Sequence, residues 1–374
     1  IALVVEADAH AAVCMWRATK IVRCRFNVLR PLLRISCSSI EALEKVVEIP
    51  ACFRLSLDLL LVRDPRIGED GWCAVFDTLR DNPQNKIAEW DLAGQNLNSK
   101  IAKSLAAYVA KSTSLTKLEV CCNRIGPEGA AALGEGLARH TSLTKLSLAS
   151  NGLGPAGAIY VAKMLSVNTS LTTLCLGNNY INNDGATVLG EALKVNTSLT
   201  TLNLMFNQIG TEGAKDLGKG LSVNTSLTSL DVSDNEIGDD GATELGETLK
   251  VNTSLTTLDI AYNEIGPDGA KLLGEGIVVN TSLMSLDMSG NLIGDEGATA
   301  LGKALVVNTS LTSLDLSDNG IGNDGATALS KALHVNTSLT SLDVTFNEIG
   351  DAGASALSEA VRVKEYLVIC HSFQ

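Results

Sequence analysis

An aspartate stands at 231, 259, 287, 315 and 343, once every 28 residues, each between two apolar side chains in strings such as LDV, LDI and LDL. In an alternating segment the residue between two core positions faces away from the core. Laid on neighbouring strands, five carboxylates would stand about 5 Å apart, where unit charges repel by about 3 kcal/mol at an effective dielectric of 20 and under about 1 kcal/mol in bulk water. Such a strip lowers stability and favours a cationic partner. The competing explanation is that aspartate is the consensus residue of a recently duplicated unit. The next exposed columns add Asp234, Asp318, Met205, Phe206, Tyr262 and Phe346. Acid with scattered aromatics is anchoring surface for a basic protein segment.

Other reactive residue types do not assemble into a catalytic pattern, and neither a catalytic residue, a metal site nor a cofactor is expected. Of the four histidines (His10, His140, His334 and His371), His140 and His334 fall near the ends of repeated helical segments and read as surface side chains. Cys121 and Cys122 are adjacent, so on a strand they point to opposite faces, and no second pair has ligand spacing. Glycine strings such as LGEGIVV lack the Lys-Ser/Thr ending of a phosphate loop. Seven N-T-S triplets, beginning at Asn168, Asn196, Asn224, Asn252, Asn280, Asn308 and Asn336, are formal glycosylation acceptors, but read as a helix end followed by a turn.

The elements that position these residues follow from one period. An asparagine recurs at 123, 151, 179, 207, 235, 263, 291, 319 and 347 within L-T-x-L-x-L-x-x-N-x-I-G-x-x-G-A-x-x-L-x-x-x-L-x-x-N-T-S. LTSLDLSDN alternates as a half-buried strand does, whereas GATELGETLK puts Ala242, Leu245 and Leu249 on one helical face. Between them the asparagine turns the chain and can bond the neighbouring coil. Gly238 and Gly241 allow a tight bend and a close helix approach. Asn252 is expected to end its helix in the left-handed conformation. Asp239, Asp240, Asp268, Asp295, Glu296, Asp324 and Asp351 gather at helix starts, where they offset the positive end of the dipole by about 0.3 to 1 kcal/mol each. A lone unit cannot bury its apolar face. Stacked units form one parallel sheet backed by helices, and strands about 4.8 Å apart against helices roughly 10 Å apart make the stack a horseshoe.

The LxxLxLxxN motif in 28-residue units with a helix in each resembles the ribonuclease-inhibitor-like subfamily of leucine-rich repeats, over residues 57 to 370. That resemblance implies an α/β solenoid, a right-handed horseshoe with parallel strands on the concave face and helices on the convex face. It implies a binding mode and no single function. The repeat domain is assigned to 57–374: two divergent units, nine regular ones and a partial unit begun by YLVIC. The function expected is a non-enzymatic scaffold gripping a partner protein, basic in character, through Asp231, Asp259, Asp287, Asp315, Asp343 and the columns beside them, alone or within a larger multi-subunit assembly. Two alternatives remain: the sensing part of a larger nucleotide-binding receptor, or a GTPase-activating protein like the Ran activator, for which Arg66 and Arg124 occupy one rim column.

Charge sets the remaining bounds. Residues 1–56 hold 8 Lys+Arg and 5 Asp+Glu of the chain's 29 and 42, leaving 21 against 37, a net of −16, for the rest. So acidic a body repels phosphate backbones, which excludes nucleic acid as its main partner. No apolar run is long enough to span a membrane. Nine irregularly placed cysteines read as reduced thiols of an intracellular, most simply cytoplasmic, protein. Residues 1–56 lie outside the period. Their acid-free stretch 16–34 resembles a targeting presequence, and SSIEALEKVVEI (38–49) reads as a helix with Ser38 or Ser39 at its start. The segment is expected to cap the solenoid's apolar end, or else to dock onto an acidic partner.

Overall fold

The computed structural model describes residues 68–82, 85–364 and 367–370. The expected N-terminal cap, its helix, the basic stretch 16–34, Arg66 and the strand half of the unit near residue 57 lie outside the described residues. Among those described, eleven strands from β1 (Glu89–Asp91) to β11 (Val368–Cys370) alternate with eleven helices from α1 (Glu69–Asp81) to α11 (Asp351–Val363). The strands form a single sheet in chain order, every pair parallel. Register advances by one unit at each step, so Leu230 pairs with Leu258 and Leu258 with Leu286. A parallel sheet in sequential order needs a crossover helix after each strand, and each unit's second half supplies one.

Each strand is three residues long, and the centre of every strand but β11 is buried; Leu230 and Leu258 are 1 % exposed. Behind the sheet, Ala242, Leu245 and Leu249 of α7 (Gly238–Leu249) are buried as their spacing predicts. Gly238 has φ 62°, the left-handed bend for which glycine is suited. At the first described layers aromatics replace leucine. Trp72 stacks on Phe76 at 5.6 Å, and Trp90 meets Phe76 and Tyr108 edge-on at 5.3 and 5.5 Å.

Two ladders of asparagine tie unit to unit. On the first, Asn235 Oδ1 accepts the amides of Asn207 and Ile209 at 2.9 and 3.0 Å, while its Nδ2 donates to Leu204 O, Val232 O and Ser233 O. This is the turn asparagine bonding the adjacent coil, as the sequence predicts.

The second ladder corrects the expectation for Asn252. That residue is not left-handed: α7 ends at Leu249, Lys250 is right-handed, and no N-T-S asparagine has positive φ. Instead Asn252 Nδ2 donates to Leu221 O and Asn224 O of the preceding unit, and Oδ1 accepts the amides of Ser254 and Leu255. All seven N-T-S asparagines are at most 5 % exposed, and their side-chain nitrogens are engaged in such bonds, which supports the structural reading of the triplets over glycosylation.

His140 is a second correction. It stands 28 residues before Asn168, in the ladder column, and is buried rather than a surface side chain. Its Nδ1 accepts the amides of Ser142 and Leu143, as an asparagine oxygen would, and burial holds its pKa below the usual value. His334 is exposed, as expected.

The helix-start acids lie in first turns, where the dipole argument applies. Two of them do more. Asp239 Oδ1 accepts the amides of Gly266 and Gly269 at 2.7 and 2.9 Å, capping the next helix, α8 (Pro267–Val279). Asp295 caps α10 (Asn323–Val335) through Gly322 and Gly325 in the same way. Asn183 and Asn323 cap the helices that follow them likewise.

Candidate protein-binding face

Strand register lays Asp231, Asp259, Asp287, Asp315 and Asp343 side by side as Cα partners on the sheet's solvent face, each half-buried. Next to Asp231 in the same column stands Asn203, whose side-chain nitrogen donates to Asp231 Oδ2. Each aspartate also has a local task that the bare pattern did not reveal. Asp231 Oδ1 accepts both the amide and the hydroxyl of Ser233 at 3.0 and 2.7 Å. Asp287 does the same with Ser289, Asp315 with Ser317 and Asp343 with Thr345. These bonds close the turn at the strand end, the usual service of an aspartate two residues before a free amide. They account for part of why aspartate recurs, independently of any partner.

Asp259 is the exception. Alanine stands at 261, so its carboxylate accepts the Ala261 amide and no hydroxyl. Burial, together with the charges of Asp287, Asp231 and Asp234, pushes the Asp259 carboxyl up to about 6. Asp315 is raised in the same direction, by burial first and then by Asp287 and Asp343, against the opposing bonds from Ser317. The strip is thus an electrostatic conflict held in place by the fold.

A pH dependence follows. Well below pH 4 the Asp259 carboxyl is protonated in folded and unfolded chains alike. From about pH 4 to 6 the unfolded chain ionises while the folded one keeps its proton, so stability falls as pH rises, and the loss is complete above the folded value of about 6. Asp259→Asn keeps the acceptor for Ala261 and removes the charge. After allowance for solvent screening, it should be about 1 to 2 kcal/mol more stable than wild type at pH 7.5 and equal to it at about pH 3. Urea unfolding at both pH values measures this, and a difference that does not change with pH would refute the electrostatic account.

The remaining candidates share a backbone feature. Phe206, Asp234, Tyr262, Asp318 and Phe346 each precede a ladder asparagine and have φ of 55°, 52°, 52°, 53° and 56°. That is left-handed space, costly for a bulky side chain, where Gly, Asn or Asp is the cheap choice. In other units the same position holds Asn178 and Gly290. Yet Phe206, Tyr262 and Phe346 are 53 %, 52 % and 75 % exposed, and Met205 beside them 38 %. The Tyr262 ring lies over Gly290, where an added Cβ would collide with it. Asp234 is half-buried and Asp318 exposed. The aromatics therefore stand along the edge where strands turn into coil, beside the acid column.

Arg124 is exposed on the same edge, while Arg66 lies outside the described residues. Cys121 is half-buried and Cys122 exposed and left-handed. Among the described residues, no group of three or more His, Cys, Asp or Glu could hold a metal ion, and no helix is long and apolar enough to cross a membrane.

The sequence profile of the family described as Leucine Rich repeat matches nine segments, 111–134, 139–162, 167–190, 195–218, 223–246, 251–274, 279–302, 307–330 and 335–358, together more than half of the chain. The chain is a leucine-rich-repeat protein. No curated protein matches it. Among solved structures, an internalin (inlF) of Listeria monocytogenes is similar at 20 % identity and a TM-score of 0.41, over 82 % of this chain and 94 % of that one. Leiomodin-1 actin-binding site 2 is similar at 25 % identity and a TM-score of 0.29, over 32 % of this chain and 72 % of its own. Leucine-rich repeats are a protein-interaction fold, and the eleven-stranded sheet of this one is the broad face on which a partner can lie.

Proposed function

We propose that this leucine-rich-repeat chain is a non-enzymatic scaffold that binds a protein with a basic surface across its concave face. The observation that carries the reading is the row of exposed aromatics, Phe206, Tyr262 and Phe346, held in left-handed backbone beside the aspartate column. Each unit could have spent that position on Asn, Asp or Gly. Strained, exposed aromatics are a pointer to function, and aromatics are enriched among the residues that dominate binding energy. Asp231, Asp259, Asp287, Asp315 and Asp343 supply the complementary charge, with Asp234 and Asp318 behind them. An intracellular setting belongs to the same reading, supported by the five described cysteines, all unbonded.

Affinity capture of the chain from its source identifies the partner, and titration of that partner against variants tests the face. Replacing Asp287, Asp315 and Asp343 together with asparagine keeps the acceptors for Ser289, Ser317 and Thr345 and removes the charge. Affinity should fall at least about tenfold, and association of the wild type should slow as salt is added. Stability should hold or rise. Unchanged affinity with raised stability would leave the column as a turn-closing device, and the face would be given up.

A further inference from the structure

A second apolar feature runs along the flank where helices return to strands. One valine per unit, from Val167 to Val335 in steps of 28, sits just past or at the end of its helix, and all seven are 55 to 60 % exposed. The threonine two residues after each is exposed as well. Neither column carries a charge, although the chain as a whole has a net charge of −13. At that exposure each valine offers roughly 90 Å², and the seven together on the order of 600 Å². With the threonines this approaches the roughly 800 Å² per partner of a standard stable interface. An apolar stripe of that size on one flank marks an interaction site.

We propose that the occupant is a second copy of this chain, paired flank to flank about a two-fold axis through Val251. Three observations support it. The ladder has a constant step, so a two-fold along the radius of the arc maps it onto itself, with Val251 on Val251, Val223 on Val279 and Val195 on Val307. The area approaches that of a standard stable interface. The residues one helical turn back from the valines are exposed and charged, and this same register sets Lys219 of one copy across from Glu275 of the other and Glu191 across from Lys303, opposite charges that outnumber the like pairs it also makes, Glu247 with itself on the axis and Lys163 with Lys331. Within one chain Lys219 and Glu191 already reach Asp216 and Lys194 at 2.7 and 2.5 Å. Exposed pairs of this kind are weak and are readily shared with a partner. Pairing the flanks leaves both concave faces open on the same side, so the dimer presents two strips to a bivalent ligand.

Light scattering of the intact chain over a wide concentration range tests this. Wild type should show twice the 39.2 kDa of one chain. Val223→Lys with Val251→Lys should return the single-chain mass with an unchanged thermal midpoint, because both side chains are exposed. Lys219→Glu alone should weaken the dimer about tenfold, and adding Glu275→Lys to the same chain should restore it. A single-chain mass at every concentration, or a dimer that survives the two lysines, would overturn the proposal. A second exchange that restores nothing would overturn the register centred on Val251.

Discussion

Replacing Asn291 with alanine should cost the chain about 3 kcal/mol or more of folding stability, although the side chain is polar. Asn291 is 3 % exposed. Its Oδ1 accepts the amides of Asn263 and Ile265, both at 3.0 Å. Its Nδ2 donates to Ile260 O, Met288 O and Ser289 O at 3.1, 2.9 and 3.3 Å. Alanine strands two amides and the Ile260 carbonyl inside the turn stack, while Met288 O and Ser289 O keep Asn319 Nδ2 and Tyr262 N as donors, and each buried orphan costs about 1 to 3 kcal/mol. Asn291→Asp keeps the acceptor, loses the donor and buries a charge, so it should be no milder. Because each unit touches only its neighbours, hydrogen-exchange protection should fall first at Asn263 and Ile265 and persist towards either end of the stack. Thr309→Ala, an exposed control, should stay within about 0.5 kcal/mol of wild type. Chemical denaturation showing a loss below about 1.5 kcal/mol for Asn291→Ala would mean that water enters the stack and replaces the ladder.

The same bonds mark how far the sequence could be read. The 28-residue step, the strand and helix halves and the buried Ala242, Leu245 and Leu249 are local properties of type and spacing, and spacing is enough to place them. The Asn252 ladder was hidden because asparagine serves two purposes at a helix end. It tolerates left-handed backbone, and its amide mimics a peptide group, and only the partner across 28 residues tells which is in use. His140 reads by type and place as a helix-end side chain, and only its 28-residue step to Asn168 puts it in the ladder column. Capping by Asp239 spans 27 and 30 residues, beyond any single-unit reading.

On the binding face, the aspartate register was legible from the period alone. The bonds to Ser233, Ser289 and Ser317 were present as a D-x-S pattern and carry a second explanation for the column. The left-handed position was also written in the sequence, as Ser150, Asn178, Asp234, Gly290 and Asp318 in one column. The aromatics in the same column obscured it, and their cost becomes visible only with the backbone angles.

Two alanines placed two residues apart on α8 should move stability in opposite directions. Helix propensity alone favours alanine over glycine by about 1 kcal/mol at either site. At Gly274 an added Cβ would lie 3.7 Å from Ala300 O and from Ala304 Cβ, ordinary contact, so Gly274→Ala should stabilise by about 0.5 to 1 kcal/mol. At Gly276 the same atom would press on the Gly246 carbonyl of α7, 2.9 Å from its carbon and closer still to its oxygen. Gly246 in turn faces the Leu272 carbonyl, 2.6 Å from the position of its own missing Cβ. Main chain meets main chain there, and no side chain can swing aside. Overpacking should outweigh propensity, giving Gly276→Ala a net loss of about 1 to 3 kcal/mol. The strand ladder on the other side of the layer fixes the step between Asp259 and Asp287, so partner affinity should change less than stability. Unfolding curves of the two variants decide the point. If both alanines stabilise, α7 and α8 can part at little cost, and the close glycine contact does not set the pitch of the horseshoe.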